Sequence, residues 1–297
     1  MARIAVFTER YTISRSPELT ALSNFRLAAF EMGHQLDFLF RNDIQLFGSY
    51  DAVFIRALTD PLNVTYVVSR LTEMRGKRVL DDSRSIRICC DKVNMYQHLK
   101  VADVPFPETI FLNADEINED NARELFESLG VPLVLKAPES SFSAKVDKVS
   151  GPQDFVKVGK RFLRRTDRIM AQQYIPSEFD WRIVTLAGKA LAVVKYVMPK
   201  GGWRIYDRRE DGKTAVCTVQ VPPRDEVEDE LIDLAIMTSR AIGSGLYGVD
   251  IKEVNGEYYV IEVNDNPNID AGFEDVANPR IYSSIIRYLV GDDFEGI

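Results

Sequence analysis

Histidine, cysteine and tryptophan are scarce in this chain: two, three and two residues among 297. With only His34 and His98, a multi-histidine zinc centre cannot be assembled, and Cys89, Cys90 and Cys217 are too few for a four-cysteine cluster. An odd cysteine count, two of them adjacent, argues against a disulfide framework and predicts a reducing, cytoplasmic setting. No apolar run approaches the roughly 20 residues a membrane helix needs. Met1-Ala2-Arg3 passes directly into an apolar strand pattern, without the run of a signal peptide. Basic charge is also short. The 37 Lys and Arg against 45 Asp and Glu give a formal charge of −8, which disfavours general nucleic-acid binding because a phosphate backbone needs a basic surface. The surplus of carboxylates suits magnesium.

What is present is an ordinary globular composition, 45% apolar and 28% charged, long enough at roughly 100–200 residues per domain for two or three units. The first ninety residues alternate strand and helix patterns. Runs at 4–9, 36–40, 52–56 and 78–82 read as strands. A helix follows Ser16 as N-cap with Pro17 in its first turn and Gly33 at its end, and another spans about 63–75. Strands separated by helical crossovers predict a parallel, helix-covered sheet. Cys90-Asp91-Lys92 opens a further helix that ends near Asp103, and Pro105 and Pro107 mark a boundary.

Beyond 109 the pattern changes. A helix at 121–129, a strand at 132–137, a polar loop at 138–144 and a strand near 145–149 lead to a helix at 153–164 and a strand at 168–175. Strands at 181–188 and 189–198 turn at Gly188, and a charged loop at 199–213 precedes a strand at 217–221 and a helix at about 225–242. The expected fold class is α/β (α+β), in three parts: 1–90, 91–180 and 181–297.

The most informative segment is 246–268, where two strand-like runs flank Asn255-Gly256, a hairpin signal. Val249, Ile251, Tyr259, Ile261 and Val263 are apolar, while Asp250, Lys252, Glu262 and Asn264 are polar. For the odd set to share one buried face, odd must stand opposite odd across the ladder. A strict two-residue loop pairs odd with even, so the pattern predicts a three-residue connection, Val254-Asn255-Gly256, with Gly256 at a bulge position. Asp250, Glu262 and Asn264 then converge on one face as a hard oxygen set for Mg²⁺. The same spacing also describes the solvated face of an amphipathic hairpin.

Four ordered blocks now resemble the ATP-grasp superfamily, specifically RimK-like carboxylate–amine ligases: DK at 91–92, PLVLK at 132–136, QQYIPSEFDWR at 172–182, and GVDI through VIEVNDNPN at 248–268. The run NDNPNIDAGFED (264–275) and the upstream FIR (54–56) and DD (81–82) runs add to the likeness, which covers essentially the whole chain. It implies a parallel-sheet N-terminal pre-ATP-grasp domain at 1–90, a small lobe with a central linker at 91–180, and a C-terminal lobe with the metal site at 181–297. It further implies that Lys92 and Lys136, with Lys145, neutralise ATP phosphates. Backbone groups of Gln173, Tyr174 and Ile175 would pair with adenine, and Asp180 or Glu178 would meet the ribose. Arg182 and Arg204 would face the phosphates or an acyl phosphate, and Asp250, Glu262 and Asn264 would hold two Mg²⁺ ions, with Mn²⁺ as an alternative.

The activity implied is ADP-forming ligation of a carboxylate, such as glutamate, to an amine on a small molecule or peptide. Relatives often assemble, so a homo-oligomer (dimer or tetramer) is expected. An ATP-grasp kinase and a catalytically inactive nucleotide-binding protein are the alternatives. The second is motivated by the loop ESSFSAKV (139–146), where many relatives carry glycines and this chain offers Ser140, Ser141 and Ser143.

Blander readings stand beside these. Lys136 reads equally as an edge-strand lysine and Lys92 as a solvated helix residue. Trp181 and Trp203 read as packing anchors. Arg56 ends a parallel strand, where ligands often bind such sheets.

Overall fold

The four apolar runs of the first eighty residues form a parallel sheet. In this computed structural model, which describes residues 1–139, 145–204, 206–208 and 214–297, they are β1 (Arg3–Thr8), β2 (Gln35–Leu39), β3 (Ala52–Arg56) and β4 (Arg78–Leu80), in the order β2-β1-β3-β4. Parallel pairing needs crossovers that climb back over the sheet. They are α1 (Arg10–Ile13) with α2 (Ser16–Glu31), a 3-10 segment Arg41–Ser49 absent from the sequence reading, and α3 (Val64–Glu73). The expected Ser16 cap is displaced by one residue. Arg15 takes the extended capping position and no side chain caps the helix, Pro17 having already removed one donor from its first turn.

The strand expected to run to residue 82 stops at Leu80. Asp82 instead caps a helix the sequence reading lacks, α4 (Ser83–Cys89), by accepting from the Ser85 amide at 2.9 Å. Asp91 repeats the device for α5 (Lys92–Val101), accepting from the Val93 and Asn94 amides at 2.9 and 3.4 Å. The Lys92 amide itself donates to the Pro138 carbonyl at 3.1 Å.

A second sheet is antiparallel, in the order β5-β8-β6-β7. It comprises β5 (Thr109–Leu112), β6 (Leu133–Lys136), β7 (Val146–Val149) and β8 (Ile169–Gln173), covered by α6 (Glu119–Leu129) and α7 (Pro152–Phe162). Its core joins Leu125, Leu129, Leu133, Leu135, Phe155 and Phe162. Ser140, Ser141 and Ser143 lie outside the described residues, as do 205 and 209–213 of the expected loop at 199–213.

The third sheet, also antiparallel, contains β9 (Phe179–Leu186) and β10 (Lys189–Val197). After a separate short pair, β11 (Tyr206–Arg208) and β12 (Thr214–Val216), come β13 (Thr218–Gln220), α8 (Asp229–Ile242), β14 (Leu246–Val254) and β15 (Glu257–Asn264). Its order is β13-β10-β9-β14-β15. α5 and α8 cover one face around Tyr96, Leu231, Val249 and Val263. The chain ends in α9 (Glu274–Ala277) and α10 (Ile281–Val290). α10 packs on the first sheet, where Phe25 meets Phe54 and Tyr282 edge-on with ring centroids 5.1 and 4.8 Å apart.

The β14–β15 hairpin corrects the sequence reading. Val254 pairs directly with Glu257, so the turn has two residues, with Asn255 and Gly256 both at positive φ (55° and 78°). The extra residue that the apolar pattern demands sits in the strand instead. Ile251 pairs with Val260 but Asp250 pairs with Glu262, leaving Ile261 in a β-bulge. Val260 is therefore a core residue, fully buried, and neither Tyr259 nor Ile261 belongs to that core as expected. The bulge returns Val263 to the core face and sets Glu262 opposite Asp250.

A Cβ at Gly256 meets nothing within 4 Å, so Gly256→Ala isolates the cost of positive φ. The expected loss is about 1 kcal/mol, read as a lower urea midpoint at unchanged m-value.

Candidate active site

Alternate residues of a strand share a face, and one face of the third sheet carries a row of charges. Arg182, Asp250 and Glu262 are direct ladder neighbours across β9, β14 and β15. One step along, Gly248 pairs with Asn264; two residues the other way lie Asp180 and Lys252. Gly248 is required there, because a Cβ would sit 2.8 Å from both Arg182 Nη1 and Pro267 Cβ. Facing this row across the cleft are Lys136 on β6, Gln172 on β8 and Lys92 at the start of α5.

The space between the two walls is a solvent-open cleft, lined by Val134, Val146, Tyr174, Ile175, Trp203 and Ile261 besides the charged groups. Lys92, Lys136, Gln173, Asp180, Arg204, Asp250 and Glu262 also line it. Arg182 lies behind Asp250, and Asn264 Nδ2 donates to Asp250 Oδ2 at 3.2 Å. Lys145 and Glu178 do not line it; the Lys145 ammonium turns to the Glu139 carbonyl at 3.4 Å.

The bland readings fail on burial. Lys136 is 5% exposed in an interior strand, Lys92 is 3% exposed, and Asp250 is 5% exposed, so none is a solvated or edge residue. Trp181 is the packing residue expected, whereas Trp203 forms a wall of the cleft. Lys148 sits 4.6 and 5.2 Å above the Tyr174 and Trp203 rings. Arg204 pairs with Asp147 at 2.9 Å, joining the segment after β10 to β7.

Buried charges must be paired, and here every carboxylate has a cation. Arg182 grips Asp250 through Nε and, at 2.9 Å, through Nη2. Lys92 meets Glu262 at 2.6 Å, and Lys252 meets Asp180. Burial raises Asp250 to about 6 against the pull of Arg182. At Glu262 burial pushes the same way, but Lys92 outweighs it and holds the carboxyl below its usual value. Burial lowers the Lys136 ammonium to about 8, with Glu262 opposing.

Sequence reasoning gave no site role to three polar groups, Gln172, Lys252 and Tyr96. Lys252 shares the even-numbered face with Asp250, a signal the alternation already carried. Tyr96, one helical turn after Lys92, is a hub. Its hydroxyl accepts from Lys136 at 3.4 Å and Gln172 at 2.9 Å, and donates to the Ile261 carbonyl at 2.7 Å.

A family model described as the RimK-like ATP-grasp domain matches residues 89–289. The chain belongs to that family. As a RimK-like ATP-grasp protein it is an ATP-grasp ligase. It is 23% identical to the glutamate–LysW ligase ArgX of Sulfolobus acidocaldarius over 82% of each chain. It is 24% identical to a probable alpha-L-glutamate ligase of Haemophilus influenzae, covering 93% of this chain and 95% of that one. D-alanine–D-alanine ligase from Bacillus anthracis, solved in complex with ATP, shares the fold with a TM-score of 0.72 at 18% identity, covering 98% and 97% of the two chains.

On the expectation that the charged form of Lys136 meets a nucleotide phosphate, affinity should be full a unit or more below pH 8. It should fall by up to about tenfold per unit above that. Titration with Mg–ADP from pH 7 to 9.5 checks this. Lys136→Met should bind more weakly at pH 7 and lose the dependence.

Proposed function

We propose that this ATP-grasp ligase joins a carboxylate to an amine through an acyl phosphate, releasing ADP and phosphate. An amino acid such as glutamate is the substrate, added to a small molecule or peptide. The observation that carries this reading is the facing of Asp250 and Glu262 across one ladder position, at the edge of a cleft whose other wall offers Lys92 and Lys136. Phosphoryl transfer asks for positioning and for neutralised negative charge rather than for a protein nucleophile. Lys92 and Lys136 supply compact positive charge to the phosphates, and Tyr174, Ile175 and Val134 provide an apolar slot for the base. Asp180 holds Lys252 at the same wall and lies on the ribose side. Arg204, on the segment that Asp147 ties to β7, offers a bidentate fork to a phosphate or acyl phosphate.

The side chains suit magnesium. Two adjacent carboxylates with an amide oxygen on the same face are hard donors. Bound there by Asp250, Glu262 and Asn264, Mg²⁺ would neutralise charge on the transferred phosphoryl group. Arg182 and Lys92 hold those two carboxylates in place from behind and from the facing helix.

Incubation with ATP, Mg²⁺ and a matched acid and amine should release ADP and phosphate together with an amide, and a chelator should abolish the release. AMP and pyrophosphate as products would overturn the reaction class, and phosphorylated acceptor without free phosphate would indicate a kinase. Glu262→Gln should cut turnover by at least about a hundredfold and also lower the melting temperature, because it takes the carboxylate partner from the buried Lys92 ammonium. Asp250→Asn should lose turnover and also about 3–5 kcal/mol of stability, because it strands the buried Arg182 charge.

A further inference from the structure

Among the described residues five cations line or back the cleft, and four of them hold a carboxylate: Lys92 with Glu262, Lys252 with Asp180, Arg182 with Asp250 and Arg204 with Asp147. Lys136 is the exception. Among the described residues it forms no ion pair, and its hydrogen bond runs to a neutral oxygen, the Tyr96 hydroxyl at 3.4 Å. Its ammonium stands 5.9 Å from the centre of the same ring. The side chain lies in the fully buried strand β6, where an unsupported ammonium is costly.

The Tyr96 hydroxyl has one possible orientation. Its ring is buried on α5 and packs against Phe106, with ring centroids 5.0 Å apart. A phenol oxygen has one proton to give and two lone pairs to offer. The proton goes to the Ile261 carbonyl at 2.7 Å, a group that can only accept. The oxygen is therefore left to accept, and it does so from Lys136 and, at 2.9 Å, from the Gln172 amide. Gln172 is fixed in turn by donating to Thr109 Oγ1 at 2.8 Å, whose own proton goes to the Pro107 carbonyl at 2.7 Å. A hydroxyl polarised by its own donation is a stronger acceptor.

We propose that Tyr96 is a positioning residue for nucleotide binding: its hydroxyl oxygen holds the Lys136 ammonium charged and in place at the cleft wall. The proposal rests on the reading of Lys136 as a phosphate-binding group of a carboxylate–amine ligase. A neutral acceptor suits that task better than a carboxylate. It favours the charged form of the lysine, yet it occupies one of three N–H donors and carries no negative charge that an arriving phosphate must displace. Burial lowers the ammonium to about 8; Glu262 on β15 and Asp180 on β9 oppose this, while Lys92 on α5 and Lys252 on β14 add to it. Tyr96 adds its support from the helix that also presents Lys92.

The test compares the full chain with its Tyr96→Phe variant by titration with Mg–ADP from pH 6.5 to 9.5. Loss of the acceptor should move the midpoint of the affinity profile down from about pH 8 by about one unit, the worth of one hydrogen bond to a charged group. Relative to wild type, affinity should then agree within about twofold at pH 6.5 and be about tenfold weaker at pH 9. In a Lys136→Met background the same substitution should cost no further affinity. Thr109→Val breaks the chain one bond further out and should keep the wild-type midpoint. Ring-fluorinated tyrosine at position 96 keeps the hydroxyl but weakens its oxygen as an acceptor, so it should move the midpoint the same way by less, whether or not Tyr96→Phe folds. The proposal is overturned if the wild-type profile is flat, if the midpoint stays put in the Tyr96 variants, or if Thr109→Val moves it equally. A loss of affinity in Tyr96→Phe that is the same at every pH would mark a merely structural tyrosine and overturn it too. Failure of the ligase reading looks different: Mg–ADP binds with the expected profile, yet no amine-dependent ADP and phosphate appear.

Discussion

The site depends on one inserted residue. At Ile261 the β14–β15 ladder slips by one, and only this slip places Glu262 opposite Asp250 while Val249, Val260 and Val263 all stay in the core. Without it, a regular ladder from the two-residue turn would bury Glu262 against α5 and α8 or expel the valines. The Tyr96 hydroxyl bonds the carbonyl of the slipped residue, so the helix that presents Lys92 also fixes the strand that presents Glu262. The Lys92–Glu262 contact is set from both ends.

That geometry explains which parts of the site were legible. Alternation along β14 and β15 identified the polar face, and the clash between apolar phase and turn length required one extra residue. Sequence alone could not say where, because a three-residue turn and a mid-strand bulge satisfy the same count. Lys136 stood out in its apolar strand, yet its neighbours were invisible. Tyr96 lies 40 residues away and the Ile261 carbonyl 165 residues from Tyr96. Arg56 stood out at the end of its strand and Asp81 in its Asp-Asp pair, yet their approach to each other and to the run after Asn264 was invisible, because the strand ends meet that loop only in the fold.

Secondary structure followed the same division. Long periodic runs such as β9 and α8 could be read directly, whereas α4 was concealed by an Asp-Asp pair that reads as a strand end. Asp82 turns out to be a helix cap. The Arg41–Ser49 segment has the shorter repeat of a 3-10 helix, which an apolar period of 3.6 does not detect. Fold-level packing added what no window contains: α10 closes the first sheet from the far end of the chain.

The pairings of Arg182 with Asp250 and Lys92 with Glu262 carry a kinetic consequence. In the resting molecule each acidic group already owns a counter-ion, so a bare divalent cation arriving alone finds no net negative well to fall into. Any ligand that draws on Lys92 or Arg182 has to replace a contact that Glu262 or Asp250 already makes, so its entry exchanges one ion pair for another.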